Sequence, residues 1–269
     1  MTTRNWRTKS NRSGCTVNLT CKKNTSVDNS IDNFVPNTFT NVGTFTWTAP
    51  SNVTSVEYLI VGGGGGGGAA YDTGSAGGGG GGLVLTGTIS VTPGTSYSIV
   101  IGAGGNGGNA TTDGTYRQEY NGEDGSSSSF STIIAAGGGG GYRSRITNGS
   151  AGLGGSASNV NVAPTGGNGG DNRTVSLTGG GGGGGNLSAG GSSNSTPDFS
   201  RTGGAGLISN ISGSNVTYGA GGIGGPYHQS YKGLNASNNT GNGGQGASSV
   251  SFDYKTGGNG GSGIVILKY

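Results

Sequence analysis

The sequence is short of most of what builds an ordinary globular enzyme. Charged residues make up only 9% of the 269 positions, and there is a single histidine, a single methionine and six prolines. The low charge argues against a chain kept open by self-repulsion. One distant histidine, His228, and two cysteines leave no nucleophile and base set, and they cannot complete a tetrahedral zinc site. No catalytic residue, cofactor or metal site is expected. No apolar stretch approaches the roughly 18 residues that a membrane span needs. No apolar segment follows Met1, so no signal peptide is expected. Helical periodicity is missing throughout, and hydrophobic residues reach only 29%, too few for a conventional core over the whole length.

Glycine fills the gap, with 67 residues. Gly62–Gly68 and Gly77–Gly82 are unbroken, but the shorter runs follow a rule. Non-glycine residues interrupt them at every third place: Ala103, Asn106 and Asn109; Thr165, Asn168 and Asp171; Ala220, Ile223 and Pro226; Thr256, Asn259 and Ser262. A period of three fits neither an α-helix nor a strand. It fits polyproline II geometry, whose backbone makes no internal hydrogen bonds. Once buried, such a segment has to bond to neighbours. Two glycines in three would let backbones approach while the third residue faces outward. The expectation is a bundle of short polyglycine II helices, in which Gly104→Val or Gly222→Val is far more harmful than Asn106→Val.

Between the runs lie six strand candidates: a segment from Thr38 with Phe39, Phe45 and Trp47 at strand spacing, then Ser55–Val61, Leu83–Val91, Tyr97–Ile101, Ser126–Ala136 and Ile264–Tyr269. Thr92–Thr95 (TPGT) is read as a turn that makes Leu83–Val91 and Tyr97–Ile101 a hairpin. The fold class expected is all-β without α-helix: β-sandwich-like strands combined with a polyglycine II bundle, the strands carrying the chain into and out of the glycine layer.

Residues 1–37 read as a basic arm and linker, and 38–269 as the glycine-rich domain. Arg4, Arg7, Lys9, Arg12, Lys22 and Lys23 occur in a stretch without acids; the remaining eight bases face 11 acids, a balance of −3. The arm is either a solvated terminus or an anchor on an acidic partner. Nucleic acid is not the partner expected. Cys15 and Cys21 are either a small local disulfide or two free thiols. In the body, Tyr116, Tyr120, Tyr142, Tyr227 and Tyr231 lie among Ser, Gly and Asn, a composition suited to binding loops; the alternative is that each tyrosine lids the end of a glycine helix. Sequons place candidate glycosylation at Asn52, Asn109, Asn148, Asn186, Asn215 and Asn235.

Two other motifs dissolve on inspection. Gly102, Gly104 and Gly107 with Glu123 and Asp124 imitate a dinucleotide fingerprint, but Asn109–Thr115 cannot supply the helix N-terminus that holds a pyrophosphate. Asp113–Asp124 lacks the acid spacing of a calcium loop.

Thr38–Gly68, Val91–Gly105, Ser126–Gly141 and Gly257–Tyr269 together resemble the glycine-rich domain of phage tail-fibre and adhesin proteins and of structural proteins of large DNA viruses. The resemblance spans 38–269 and leaves the arm unmatched. It implies a virion protein. The basic arm, by which the chain departs from a free-standing adhesin, suits anchoring to other virion proteins, so the leading expectation is a non-enzymatic structural protein, capsid-associated or a fibre component. The resemblance further implies loops able to meet a host surface receptor or glycan. A receptor-binding adhesin is the alternative; an ice-binding or cell-wall glycine-rich protein is a third reading.

Overall fold

A computed structural model describes residues 36–71, 74–112, 117–144, 186–191, 202–226, 229–251 and 253–269, without side chains for 111, 112 and 117–119. The described residues contain no helix. Their strands are β1 (Asn37–Phe39), β2 (Gly43–Thr48), β3 (Ser55–Val61), β4 (Val84–Ser90), β5 (Ser96–Ile101), β6 (Ala110–Thr112), β7 (Arg117–Glu119), β8 (Ser128–Phe130), β9 (Ile133–Ala135), β10 (Leu207–Ser209), β11 (Val216–Tyr218) and β12 (Ile264–Lys268).

Alternation decides which faces meet. On β2, Phe45 and Trp47 point inward while the threonines between them are exposed. On β5, Ile99 and Ile101 do the same. Two four-stranded antiparallel sheets result, ordered β1-β12-β3-β4 and β2-β5-β8-β9. They share one core, in which Val56, Ile60, Val265 and Leu267 of the first sheet join Trp47, Ile99, Ile101 and Phe130 of the second. Trp47 meets Phe130 edge to face at 5.9 Å. β3 and β12 are apolar on both faces because a second layer covers the outside: Leu59, Val61, Ile264 and Ile266 pack with Tyr218, Leu207 and Val216 of the β10–β11 hairpin.

Several expectations about these strands need correction. The segment from Thr38 is not one strand: Phe39 lies on β1 of the first sheet, and Phe45 and Trp47 lie on β2 of the second. The Thr92–Thr95 turn forms, with the Thr95 N–H on the Thr92 carbonyl and Gly94 at φ +75°, a conformation that glycine adopts without a Cβ penalty. It does not close a hairpin. β4 pairs with β3 and β5 with β2, so the turn carries the chain from one sheet to the other. Ser126–Ala136 is likewise not one strand but the tight β8–β9 hairpin, turned at Ser131 with φ +55°. Asn37, assigned to the arm by the sequence reading, belongs to β1 and pairs with Leu267.

Strand ends become glycine runs. β3 leads into 62–70, β5 into 102–109 and β9 into 136–144, while 76–83 returns to β4, 120–126 towards β8 and 255–263 to β12. Around the 62–70 run the hydrogen bonds repeat every third residue. The N–H groups of Gly62, Gly65 and Gly68 donate to Leu83, Gly80 and Gly77; those of Gly63, Gly66 and Ala69 donate to Ser126, Glu123 and Tyr120; those of Gly64, Gly67 and Ala70 donate to Gly261, Gly258 and Lys255. Its carbonyls accept with the same period, from Gly138, Gly141 and Ser144, from Gly105 and Gly108, and from Gly244 and Ala247. The central run thus donates to three runs and accepts from three others, and consecutive neighbours also bond to one another around the ring. The three that receive its N–H groups run antiparallel to it, and the three that donate to it run parallel.

This arrangement explains the unbroken Gly62–Gly68. A Cβ on any of these seven residues would lie 2.0–2.3 Å from a carbonyl oxygen of a neighbouring run, closer than any real packing contact. Runs at the rim have an open side. In 102–109 a Cβ on Gly102, Gly104, Gly105, Gly107 or Gly108 would meet a carbonyl at 2.0–2.1 Å, whereas Asn106 and Asn109 are exposed. In 102–109 the triplet rule goes with an open side, whereas the unbroken runs 62–68 and 77–82 are buried along their length.

Candidate functional surface

A sheet of backbone groups is adhesive wherever it ends, and the rim of this bundle is closed by short polar side chains. Asn259 Oδ1 accepts the Gly107 N–H at 2.8 Å, Asp124 Oδ1 the Gly140 N–H at 2.7 Å and Asn121 Oδ1 the Arg143 N–H at 3.0 Å. Asn242 Oδ1 takes the Ala220 N–H at 2.8 Å, and Asn186 Oδ1 takes the Val84 N–H at 3.0 Å. In each case an amide or carboxylate oxygen takes the place of a backbone acceptor. Sequence reasoning placed Asn259 on the outward side but missed what its side chain does. The frequency of Asn at the third position was the available signal.

The same caps absorb the motifs that imitate sites. Gly102–Asn109 runs into β6 and not into a helix, so no helix N-terminus faces the glycines. Asp124 caps Gly140, and Glu123 Oε2 accepts from Asn106 Nδ2 at 2.8 Å. No cluster of metal-ligating side chains exists among the described residues. No helix among them is long and apolar enough to cross a membrane.

The connections at the end of the bundle away from the sandwich gather the tyrosines. Antiparallel pairing brings Ala69 against Tyr120, and Gly77 against both Gly68 and Tyr142. Tyr120 and Tyr142 are 48% and 51% exposed. Tyr231 is half-buried and its hydroxyl donates to Gln245 Oε1 at 2.9 Å. Tyr71 is buried and stacks on Tyr254 with ring centroids 4.4 Å apart. Tyr71, Tyr231 and Tyr254 pack against other residues at this end of the bundle, while Tyr120 and Tyr142 are exposed. Beside them Lys255 pairs with Asp253, and the hydrogen bond from Lys255 holds the Asp253 carboxyl below its ordinary value.

Tyr116 and Tyr227 lie outside the described residues, as do the anchor candidates Arg4, Arg7, Lys9, Arg12, Lys22 and Lys23, the pair Cys15 and Cys21, and the sequon at Asn148. Among the other sequons, Asn52, Asn109, Asn215 and Asn235 are exposed. Asn186 is not a glycosylation site in the folded body: it is 3% exposed and its side chain is spent on Val84.

An antiparallel all-β body, extended at one end by a core made of backbone alone, defines the class as a glycine-rich β-protein. The chain belongs to the glycine-rich domain family, whose model matches residues 39–269. No curated protein matches the sequence.

Proposed function

We propose that this chain is a non-enzymatic structural protein of a virion, capsid-associated or part of a fibre, whose body presents a rigid glycine-rich surface. In this reading the runs are polyglycine II helices and the basic arm anchors the body to other virion proteins. The observation that carries the proposal is the central run with its six bonded neighbours. A core built of backbone presents no nucleophilic or titratable side chain for chemistry. Each ordered glycine costs about 1–2 kcal/mol of backbone entropy and each hydrogen bond returns about 1. Such a design yields stiffness and a defined outline in place of a reaction site, which suits a particle exposed to the environment.

Deleting residues 1–36 tests it. The expected product melts like the full chain, because β1 begins at Asn37, yet is absent from assembled particles. Normal incorporation would refute the anchoring role.

A second reading, a receptor-binding adhesin, is favoured by the exposure of Tyr120 and Tyr142 at the end away from the sandwich. Replacing both with alanine, together with Tyr116, Tyr227 and Tyr231, would abolish attachment to host cells if those loops bind. Unchanged attachment would eliminate this reading.

A further inference from the structure

A groove of about 600 Å³ opens on the side of the bundle. Its floor is Gly104 and Gly260 of two adjacent rim runs, its wall is the 235–239 segment, and the loop from Thr40 to Val42 adds to the lining where β1 passes into β2. Its size falls in the range of small-ligand sites, roughly 300–1,000 Å³.

The groove's chemistry is uniform. Asparagines at 41, 106, 235, 238, 239 and 259 line it, and no ionised or aromatic side chain does so among the described residues. Several amides are fixed through one end only. The carbonyl oxygens of Asn259 and Asn235 hold the backbone N–H groups of Gly107 and Asn259, both at 2.8 Å. The Asn239 oxygen holds the Ser262 hydroxyl at 3.2 Å, with its own backbone at φ +62°. These three residues keep their NH₂ donors to spare. Asn106, whose NH₂ serves Glu123, keeps its carbonyl.

Each class of occupant can be weighed against that set. An ion would find no countercharge after losing its water. An apolar ligand would bury these amides without partners. A further glycine strand would need the row of N–H groups on the two rim runs, but those of Gly107 and Asn259 are already capped by side chains. A ligand whose groups each donate and accept, without charge, satisfies the set. We propose that this groove is a binding site for a neutral saccharide of one to three sugar units, recognised by amides around its hydroxyl edge. With no aromatic ring to stack on a sugar face, the dissociation constant should lie in the millimolar range. The proposal rests on the groove itself and does not depend on the virion reading.

The test is saturation-transfer NMR on the full chain with glucose, galactose and mannose and their neutral trisaccharides, and with trigalacturonate as the charged comparator. Asn41→Ala with Asn238→Ala is the informative double variant, because no hydrogen bond to another described residue involves either side chain and the fold should keep its melting temperature. At least one neutral sugar should give a signal, with affinity about tenfold lower in the double variant, and trigalacturonate should bind more weakly. No signal from any neutral sugar at tens of millimolar, undiminished binding in the double variant, or equal binding of the uronate would each overturn the proposal.

Discussion

The two halves of the body solve the same problem with opposite materials. In the sandwich, Trp47, Ile99, Phe130 and Val265 remove apolar side chains from water, and backbone pairing follows along the strands. In the glycine bundle there is almost no apolar side chain to bury, and around the central run the contacts between neighbours are between backbones. The first core is driven by the hydrophobic effect and tolerates changes of shape with some repacking. The second has no free volume beside the chain and nothing to repack. The comparison also assigns labour: hydrogen bonds of about 1 kcal/mol barely offset the ordering of glycine, so the bundle relies on the sandwich to fix the ends of its runs.

The largest effect should come from inserting a methyl group into the backbone core. Gly65→Ala or Gly104→Val, whose Cβ would stand 2.1 Å from the Gly139 and 2.0 Å from the Gly260 carbonyl oxygen, should cost more than about 3 kcal/mol or prevent folding. Asn106→Val, at the open third position, should stay within about 1 kcal/mol. Chemical denaturation of the soluble variants and recovery of the insoluble ones would show whether the asymmetry holds; equal tolerance would mean that glycine is compositional here.

Phe130→Ala breaks the other core and should cost about 3–5 kcal/mol. If the bundle leans on the sandwich, glycine amides in 62–68 should lose exchange protection together with β3, and not after it.

Cap removal ranks third. Asn186→Ala leaves the Val84 N–H without its acceptor inside the protein and should cost about 1–3 kcal/mol. Asn259→Ala exposes the Gly107 N–H at the rim and should cost less, while raising lateral self-association in sedimentation at high protein concentration.

The smallest effect is electrostatic. The Asp253 carboxyl is held below its ordinary value of 3.8 by Lys255. A carboxylate depressed in the folded state contributes stability above the unfolded value, and this is lost as pH falls through the folded one. Lys255→Ala should therefore slightly lower stability at neutral pH, and the two profiles should converge as pH falls below about 4 and the carboxyl protonates, which flattens the acid limb of the variant.

Much of this fold was legible as pattern. Ser55–Val61 was read to the residue as β3; alternation at Phe45 and Trp47 marked β2, but Phe39, read into the same segment, lies on β1 in the other sheet. Pairing was less legible than position, because Thr92–Thr95 has the chemistry of a hairpin turn and nothing local says that the next strand joins another sheet. Ser131, whose positive φ breaks 126–136 into a hairpin, is not a residue type that signals it. The triplet rule located the rim runs through Asn106 and Asn259. The unbroken Gly62–Gly68 and Gly77–Gly82 carried more information than the triplets, since a run buried along its length can spare no position for a side chain. The caps were the least visible part of the candidate surface: an outward asparagine is expected to be solvated, and its service to another run depends on contacts about 150 positions away in sequence, as between Asn259 and Gly107.

The most direct measurement is residue-resolved amide hydrogen exchange of Gly62–Gly68 in the intact protein. The account predicts that all seven are protected to nearly the same degree as Leu59 and Ile60 of β3, since each N–H is bonded to a neighbouring run. Exchange at the rate of an unstructured glycine chain, with β3 still protected, would contradict it.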